Sequence, residues 1–93
     1  MKIAFEPAAR EELNDIFEWI ETDNPAAAYA MIARIETKIG RLALPEFTYT
    51  GRPGLDPGTR ELIEYPYIIV YEVHEDRKEI VVLSVVHGAR DRS

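Results

Sequence analysis

Cysteine is absent from the 93-residue chain, so the protein can form neither a disulfide framework nor a thiolate zinc site. The sequence also contains no secretory signal segment and no run of about 18 apolar residues, the length that a membrane-spanning helix requires. No cluster of carboxylates indicates a cation site. We therefore expect a cytoplasmic protein that contacts no membrane and needs no metal and no cofactor.

Positive charge is scarce in this sequence. The chain has 11 lysines and arginines against 17 aspartates and glutamates, which gives a formal net charge of −6. Such a charge opposes attraction to the phosphate backbone of nucleic acids and to anionic membranes. The last third, residues 60–93, holds five basic residues and shows no dense basic patch. We expect no direct, sequence-specific binding to nucleic acid.

Length and composition limit the number of domains. With 93 residues, 46% of them apolar and 30% charged, the chain fits one compact domain over residues 1–93 and cannot form a second core. A domain of this size buries only about 60 to 65% of the surface of its unfolded chain. Its stability should be marginal when it is alone, and a partner should raise it.

The first half of the sequence predicts a short strand followed by two helices. Residues 2–5 are β-prone, and residues 7–22 carry apolar side chains at helical spacing opposite an acidic face. Asn24 is a suitable N-cap and Pro25 a suitable first helical residue for a second helix over residues 25–43. Because the linker is so short, the two helices should form an antiparallel hairpin.

The second half predicts a loop and three strands. Residues 45–58 contain three prolines and three glycines, whereas residues 60–64, 67–73 and 79–86 are rich in isoleucine, valine and tyrosine. The predicted fold is α+β: an N-terminal strand, then an antiparallel helical hairpin packed on a mainly antiparallel sheet, in the order β-α-α-β-β-β. Both faces of the last two strands are apolar, and one hairpin covers only one face. We expect a partner to cover the other face.

Specific residues in this order resemble the toxins of the ParE/RelE superfamily, and favour its ParE branch, over essentially the whole chain. The resemblance has four parts: the acidic first helix with Leu13, Ile16 and Trp19, followed by the residues from Asp23 to Ala28; the loop residues Gly51 and Arg52, then Gly58 and Arg60; the strand from Tyr67 to Val73; and the terminal residues from Val85 to Asp91.

The resemblance implies the toxin half of a type II toxin–antitoxin system. In the ParE branch the toxin holds DNA gyrase in a cleaved complex with DNA, breaks no bond itself, and is neutralised in a hetero-oligomer with a ParD-like antitoxin. In the RelE branch it is a ribosome-dependent mRNA endonuclease. The acidic charge favours the ParE branch, hence a protein that is not an enzyme, because nucleases of this kind need a concentrated basic field. A toxin fold that retains only a binding role is a third possibility.

Three arginines at motif positions are the candidates for target binding: Arg52, Arg60 and Arg90. A guanidinium group recognises carboxylates or phosphates with two parallel hydrogen bonds. The alternative for Arg60 and Arg90 is a surface ion pair, for example with Glu64 or Asp91. For Arg52 the alternative is a contact with carbonyl groups of its own loop.

His87 is the sharpest candidate for chemistry, since an imidazole at a strand end could transfer protons near neutral pH. We favour a packed or hydrogen-bonded histidine, because His87 has the same parity as Val81, Leu83 and Val85 in its strand. No catalytic residue is therefore predicted. If the chain were a nuclease, its best residues would be His87, Arg60 and Arg90.

The antitoxin should cover apolar side chains on the hairpin and the sheet. Trp19 lies about 110° from the centre of the apolar stripe of the first helix, which places it at the edge of the core, with packing at the hairpin seam favoured over an interface anchor. The residues predicted to bind the antitoxin are Leu13, Phe17, Trp19, Tyr67, Ile69 and Tyr71.

Overall fold

The computed structural model describes residues 1–91, with side chains for residues 1–89. Helix α1 spans Pro7–Glu21 and helix α2 spans Pro25–Arg41, close to their predicted bounds. The side chain of Asn24 accepts a hydrogen bond of 3.1 Å from the backbone N–H of Ala27, so the predicted N-cap is confirmed. Pro25 occupies the first turn, where its missing N–H leaves no hydrogen bond unmade.

The strands are β1 (Lys2–Phe5), β2 (Arg52–Pro53), β3 (Arg60–Glu64), β4 (Tyr67–His74) and β5 (Glu79–His87), and a terminal helix α3 spans Gly88–Asp91. The five strands form one sheet in the order β1-β5-β4-β3-β2. Strand β1 runs parallel to β5, and the remaining pairs are antiparallel. This confirms the predicted α+β fold with its mainly antiparallel sheet. The strand β2 and the terminal helix α3 were not predicted.

Strand β5 contains one extra residue relative to β4. Tyr71 pairs with Val82 and Val70 pairs with Ser84, so Leu83 has no partner of its own in β4. A bulge of this kind moves every later residue of the strand to the opposite face. Consequently even-numbered residues of β5 face the helices before the bulge, and odd-numbered residues face them after it.

The bulge corrects the sequence prediction for β5. Val85 and His87 lie on the same face as Val82, whereas Val81 lies on the other face, so the uniform parity assumed for His87 is wrong. The buried face of β5 is therefore formed by even-numbered residues before the bulge and by odd-numbered residues after it. The two faces of the strand are not equivalent. The outer face is also partly covered by the chain itself, because Ile68 and Val81 are buried without any partner.

The core lies between the helical hairpin and the inner face of the sheet. Leu13 and Ile16 of α1 and Ile35 of α2 pack with Ile69 of β4 and Val85 of β5. Full burial of a side chain of this size contributes about 1.5 to 3 kcal/mol. These contacts fix the hairpin on one side of the sheet, as the apolar periodicity predicted.

Neither a membrane-spanning helix nor a cluster of three metal ligands is found in the described chain up to Asp91. None of the helices there is long and apolar enough to cross a membrane. In the same stretch, histidine, aspartate and glutamate side chains do not gather in groups of three that could hold a metal ion.

Helix α1 also reaches the part of β5 that extends beyond the end of β1 and has no neighbouring strand on that side among the described residues. Strand β1 ends where Phe5 pairs with Val82, and beyond that point Glu12 takes its place: a Glu12 carboxylate oxygen accepts a hydrogen bond of 3.1 Å from the N–H of Val85. The first donor after the bulge on this edge is thereby satisfied by a side chain of the helix. Glu12 thus couples the position of α1 to the register of β5.

We predict that Glu12→Ala lowers the free energy of unfolding by about 1 to 3 kcal/mol, because it leaves the partly buried N–H of Val85 without its acceptor. Urea unfolding followed by circular dichroism measures this change. The matched control is Glu11→Ala, whose side chain is exposed on the same helix. Equal stabilities of the two variants would contradict the role given to Glu12.

Candidate functional site

The three candidate arginines do not share one site. Arg52 lies opposite Glu61 on the outer face of the sheet, whereas Arg60 lies opposite Tyr71 on the inner face. Arg90 belongs to α3, which follows the far end of β5, and its side chain lies outside the described residues. Arg60 pairs with Tyr71 and His87 pairs with Tyr67, so the start of β3 and the end of β5 are offset by about 13 Å along the strand direction, on either side of β4.

Arg60 braces the loop that precedes β2. One of its guanidinium nitrogens donates to the carbonyl oxygens of Tyr49, at 3.3 Å, and of Gly51, while the group stacks 5.2 Å from the centre of the Tyr49 ring. Arg52 instead forms an ion pair of 3.2 Å with the buried carboxylate of Glu61. The carbonyl contacts predicted as an alternative for Arg52 are therefore made by Arg60. The alternative of an Arg60–Glu64 pair is wrong.

The hydroxyl group of Tyr71 also anchors this loop. This hydroxyl donates to the carbonyl oxygen of Thr48 and accepts from the N–H of Gly51, each at 3.0 Å. A β-carbon on residue 51 would lie 2.7 Å from the hydroxyl oxygen, so only glycine fits here. Burial of the side chain raises the pKa of Tyr71, which keeps its hydroxyl protonated as a donor.

The loop is also tied to the turn between β4 and β5. The hydroxyl group of Tyr49 donates to the carboxylate of Glu75, and this hydrogen bond lowers the pKa of Glu75 and raises the pKa of Tyr49. Both side chains are exposed. Arg60, Tyr71 and Glu75 therefore hold residues 48–51 of the loop from three elements of the fold.

His87 lies at the other end of the sheet, in a groove between α1 and β5. Its ring is 5.6 Å from that of Tyr67 in an edge-to-face arrangement, and its Nδ1 accepts a hydrogen bond of 3.2 Å from the N–H of Ala89. With Nδ1 accepting, the proton of the neutral ring is on Nε2. The groove has a volume of about 230 Å³ and is also lined by Asp15 and Trp19. The histidine is packed and hydrogen-bonded, as we predicted.

Burial divides the residues predicted to bind an antitoxin. Leu13, Tyr67, Ile69 and Tyr71 are buried in the core of the chain itself, which removes them from any surface that a partner could contact. Their apolar character reflects packing of the hairpin on the sheet. The two remaining residues have accessible surface: Phe17 is half-buried against Tyr29, and Trp19 is 68% exposed. The preference for Trp19 at the hairpin seam is thus wrong.

Sequence reasoning missed a basic groove between α2 and β3. Arg34, Lys38 and Arg41 line it from the helix, Glu64 lines it from the strand, and its volume is about 300 Å³. These three residues lie on α2, away from the motif positions and the strand region in which the sequence predicts cationic sites. The spacing of three, four and seven residues, which puts side chains on one helical face, would have revealed this group in residues 34–41.

Solved structures share this fold. A chain of the "Chromosomal ParDE TA system from P. aeruginosa" superposes with a TM-score of 0.81 at 23% identity, covering 94% of this chain and 95% of that one. The isolated E. coli RelE toxin superposes with a TM-score of 0.70 at 14% identity, covering 97% and 86%. Fold likeness at such identities defines the ParE/RelE class of structure and leaves the branch open.

Sequence comparison supplies the branch. Residues 3–92 match the family described as "ParE toxin of type II toxin-antitoxin system, parDE". A Sinorhizobium fredii protein named "Putative toxin Y4kP" is 40% identical over 82 residues, which cover 86% of this chain and 80% of that protein. The chain belongs to the ParE toxin family.

We predict that Tyr71→Phe lowers the free energy of unfolding by about 1 to 3 kcal/mol, because the carbonyl of Thr48 and the N–H of Gly51 both lose a buried partner. Chemical denaturation monitored by fluorescence measures the change. Tyr65→Phe serves as the control, since that side chain is 83% exposed. A Tyr71→Phe protein as stable as the control would show that the hydroxyl does not anchor the loop.

Proposed function

We propose that this toxin inhibits DNA gyrase by contact and is neutralised by a ParD-like antitoxin with which it forms a hetero-oligomer. Membership of the ParE family is the finding that supports a gyrase target. The proposed mechanism stabilises a cleaved gyrase–DNA complex, so the toxin transfers no proton and breaks no bond.

The separation of His87 from Arg60 is the observation that carries the non-enzymatic proposal. A nuclease that assists attack by a ribose hydroxyl needs its acid–base group and its cationic group around one phosphate. Here the imidazole packs beside Tyr67, while the guanidinium of Arg60 is engaged with loop carbonyls. The two residues lie on strands on either side of β4, and their backbone positions are about 13 Å apart along the strand direction. This arrangement separates His87 from Arg60, one of the two arginines of the nuclease alternative, and in that respect favours inhibition by contact over RNA cleavage.

Exposed aromatic side chains support an antitoxin partner. Trp19 at the end of α1 and Tyr29 on α2 are more than half exposed, and the half-buried Phe17 packs against Tyr29. Tryptophan and tyrosine are enriched among the residues that contribute most to protein interfaces. We therefore propose Phe17 and Tyr29 as an antitoxin-binding aromatic surface on the hairpin, and Trp19, in the groove beside β5, as a separate antitoxin contact.

Two parallel assays test the proposed target. Purified toxin is added to gyrase with supercoiled plasmid, where detergent-trapped DNA breaks are counted, and to translating ribosomes, where transcript ends are mapped. We expect a dose-dependent rise in trapped gyrase breaks and intact transcripts. Ribosome-phased transcript cuts without gyrase breaks would replace the proposal with the RelE-like alternative. The absence of both gyrase breaks and transcript cuts would favour a toxin fold that has kept only a binding role.

We predict that His87→Ala leaves growth inhibition nearly intact, because an inhibitor that works by contact needs no proton transfer. Loss of an acid–base group from a nuclease would lower its rate by roughly 10² to 10⁴. Colony counts after induction, at matched expression, measure the effect. A loss of that size in a variant with unchanged secondary structure would contradict the proposal.

We predict that Arg60→Ala and Arg90→Ala each weaken toxicity more than Arg77→Ala, whose guanidinium pairs with Glu79 in an exposed segment. Because Arg60 also braces its loop, the thermal midpoint of each purified variant is measured beside its toxicity. A loss of toxicity at Arg60 or Arg90 without a matching loss of stability supports target binding. Equal toxicity of all three variants would show that these positions do not contact the target.

A further inference from the structure

Strand β3 has an open edge beyond the end of β2. The pairing of β2 covers only Arg60 and Glu61, so in the described part of the chain no strand lies beside residues 62–64 on that side. The ammonium group of Lys38 donates to the carbonyl oxygen of Ile63, which shows that this carbonyl points away from β4. In an antiparallel strand the N–H and C=O of one residue point to the same side. Ile63 therefore offers a donor and an acceptor to this edge.

The basic groove lies directly beside that edge. Arg34, Lys38 and Arg41 contribute three positive charges to it, and Glu64 contributes the one negative charge. Glu64 is shared, since its carboxylate lies 3.5 Å from Arg34 Nε and 3.5 Å from Lys38 Nζ. The groove thus carries a surplus of positive charge within a chain whose net charge is −6.

Contacts within the chain explain only part of this group. The carboxylate of Glu64 accounts for Arg34 and Lys38, and the dipole of α2 favours a cation in its last turn. Arg41 is exposed and has no ion pair or hydrogen bond among the described side chains. Tyr65, the residue after Glu64, is 83% exposed. A local surplus of positive charge and an unpaired strand edge therefore meet at one place, and an exposed tyrosine follows Glu64 in the chain.

We propose that an extended acidic segment of the antitoxin binds here. Its backbone pairs with the N–H and C=O of Ile63, and its carboxylates, alternating along the strand, face Arg34, Lys38 and Arg41. Lys38 then exchanges the Ile63 carbonyl for a carboxylate of the partner. Strand addition of this kind takes affinity from the backbone and specificity from the side chains. The inference rests on the proposed antitoxin and adds where and by what chemistry one of its segments binds.

A protein segment fits this surface better than a nucleic acid does. The three cations span about 10 Å along the helix, whereas a polyanion gains affinity by neutralising many phosphates along a longer track. The acidic face of α1 and the overall charge of −6 repel such a polymer. A short acidic strand needs only the local surplus of positive charge. Its backbone can also form hydrogen bonds with the edge of β3, which a phosphate chain cannot do in the same way.

The test is an NMR titration of the isotope-labelled toxin with a short capped peptide of alternating valine and glutamate. We expect saturable shifts of amides in residues 34–41 and 62–65, and we expect the same peptide with lysine in place of glutamate to cause none. Arg41→Glu should weaken binding by roughly tenfold or more, as removal of a charge-assisted contact does. Because Arg41 supports no contact of the described fold, this variant should keep the spectrum of the native protein.

Arg77→Glu is the matched control, since it makes the same change of charge in an exposed segment away from the groove, and it should bind like the unchanged toxin. The proposal is overturned if the acidic peptide causes no shifts at the edge of β3, or if both arginine variants bind it equally. It is also overturned if a short single-stranded DNA shifts these amides and the peptide does not. No gyrase is present in the titration, so failure of gyrase inhibition would leave this result unaffected.

Discussion

The extra residue Leu83 in β5 is the constraint on which one whole end of the fold depends. It shifts the alternation of the strand so that Val85 enters the core and His87 faces the groove beside α1. It also precedes the N–H of Val85, which lies past the end of β1 and is bound by Glu12. Without the bulge, Val86 would take the core position and the donor would point elsewhere. The docking of α1, the packing of the histidine and the groove between them are consequences of one inserted residue.

At the opposite end of the sheet, side chains hold a loop in place. Arg60, Tyr71 and Glu75 bind the segment around Gly51 from three elements of the fold. Backbone groups of such a segment would otherwise lack partners, and each buried one left unpaired costs about 1 to 3 kcal/mol. Gly51 therefore needs no chemistry of cleavage to explain it, since the close approach of the Tyr71 hydroxyl group already requires a glycine at this position.

Charge is distributed unevenly over this acidic molecule. Negative side chains lie along α1, and three positive ones gather on α2 beside the open edge of β3. A net charge describes solubility and nonspecific attraction, whereas recognition depends on the local field. The separation favours a protein that contacts partners through small, chemically distinct surfaces. The aromatic surface on the hairpin and the basic groove are two such surfaces.

The sequence alone determined the order of the main elements, the N-cap at Asn24 and the family, because helix periodicity, strand alternation and capping are local properties of neighbouring residues. It could not determine which face of β5 is buried, since both parities there are apolar and the bulge at Leu83 leaves no local signal. Nor could it separate Tyr71 as a buried anchor from Trp19 as an exposed side chain. Those roles, and the distance between Arg60 and His87, follow from the packing of the hairpin on the sheet, which brings together residues far apart in the chain and so was decided only by the tertiary structure.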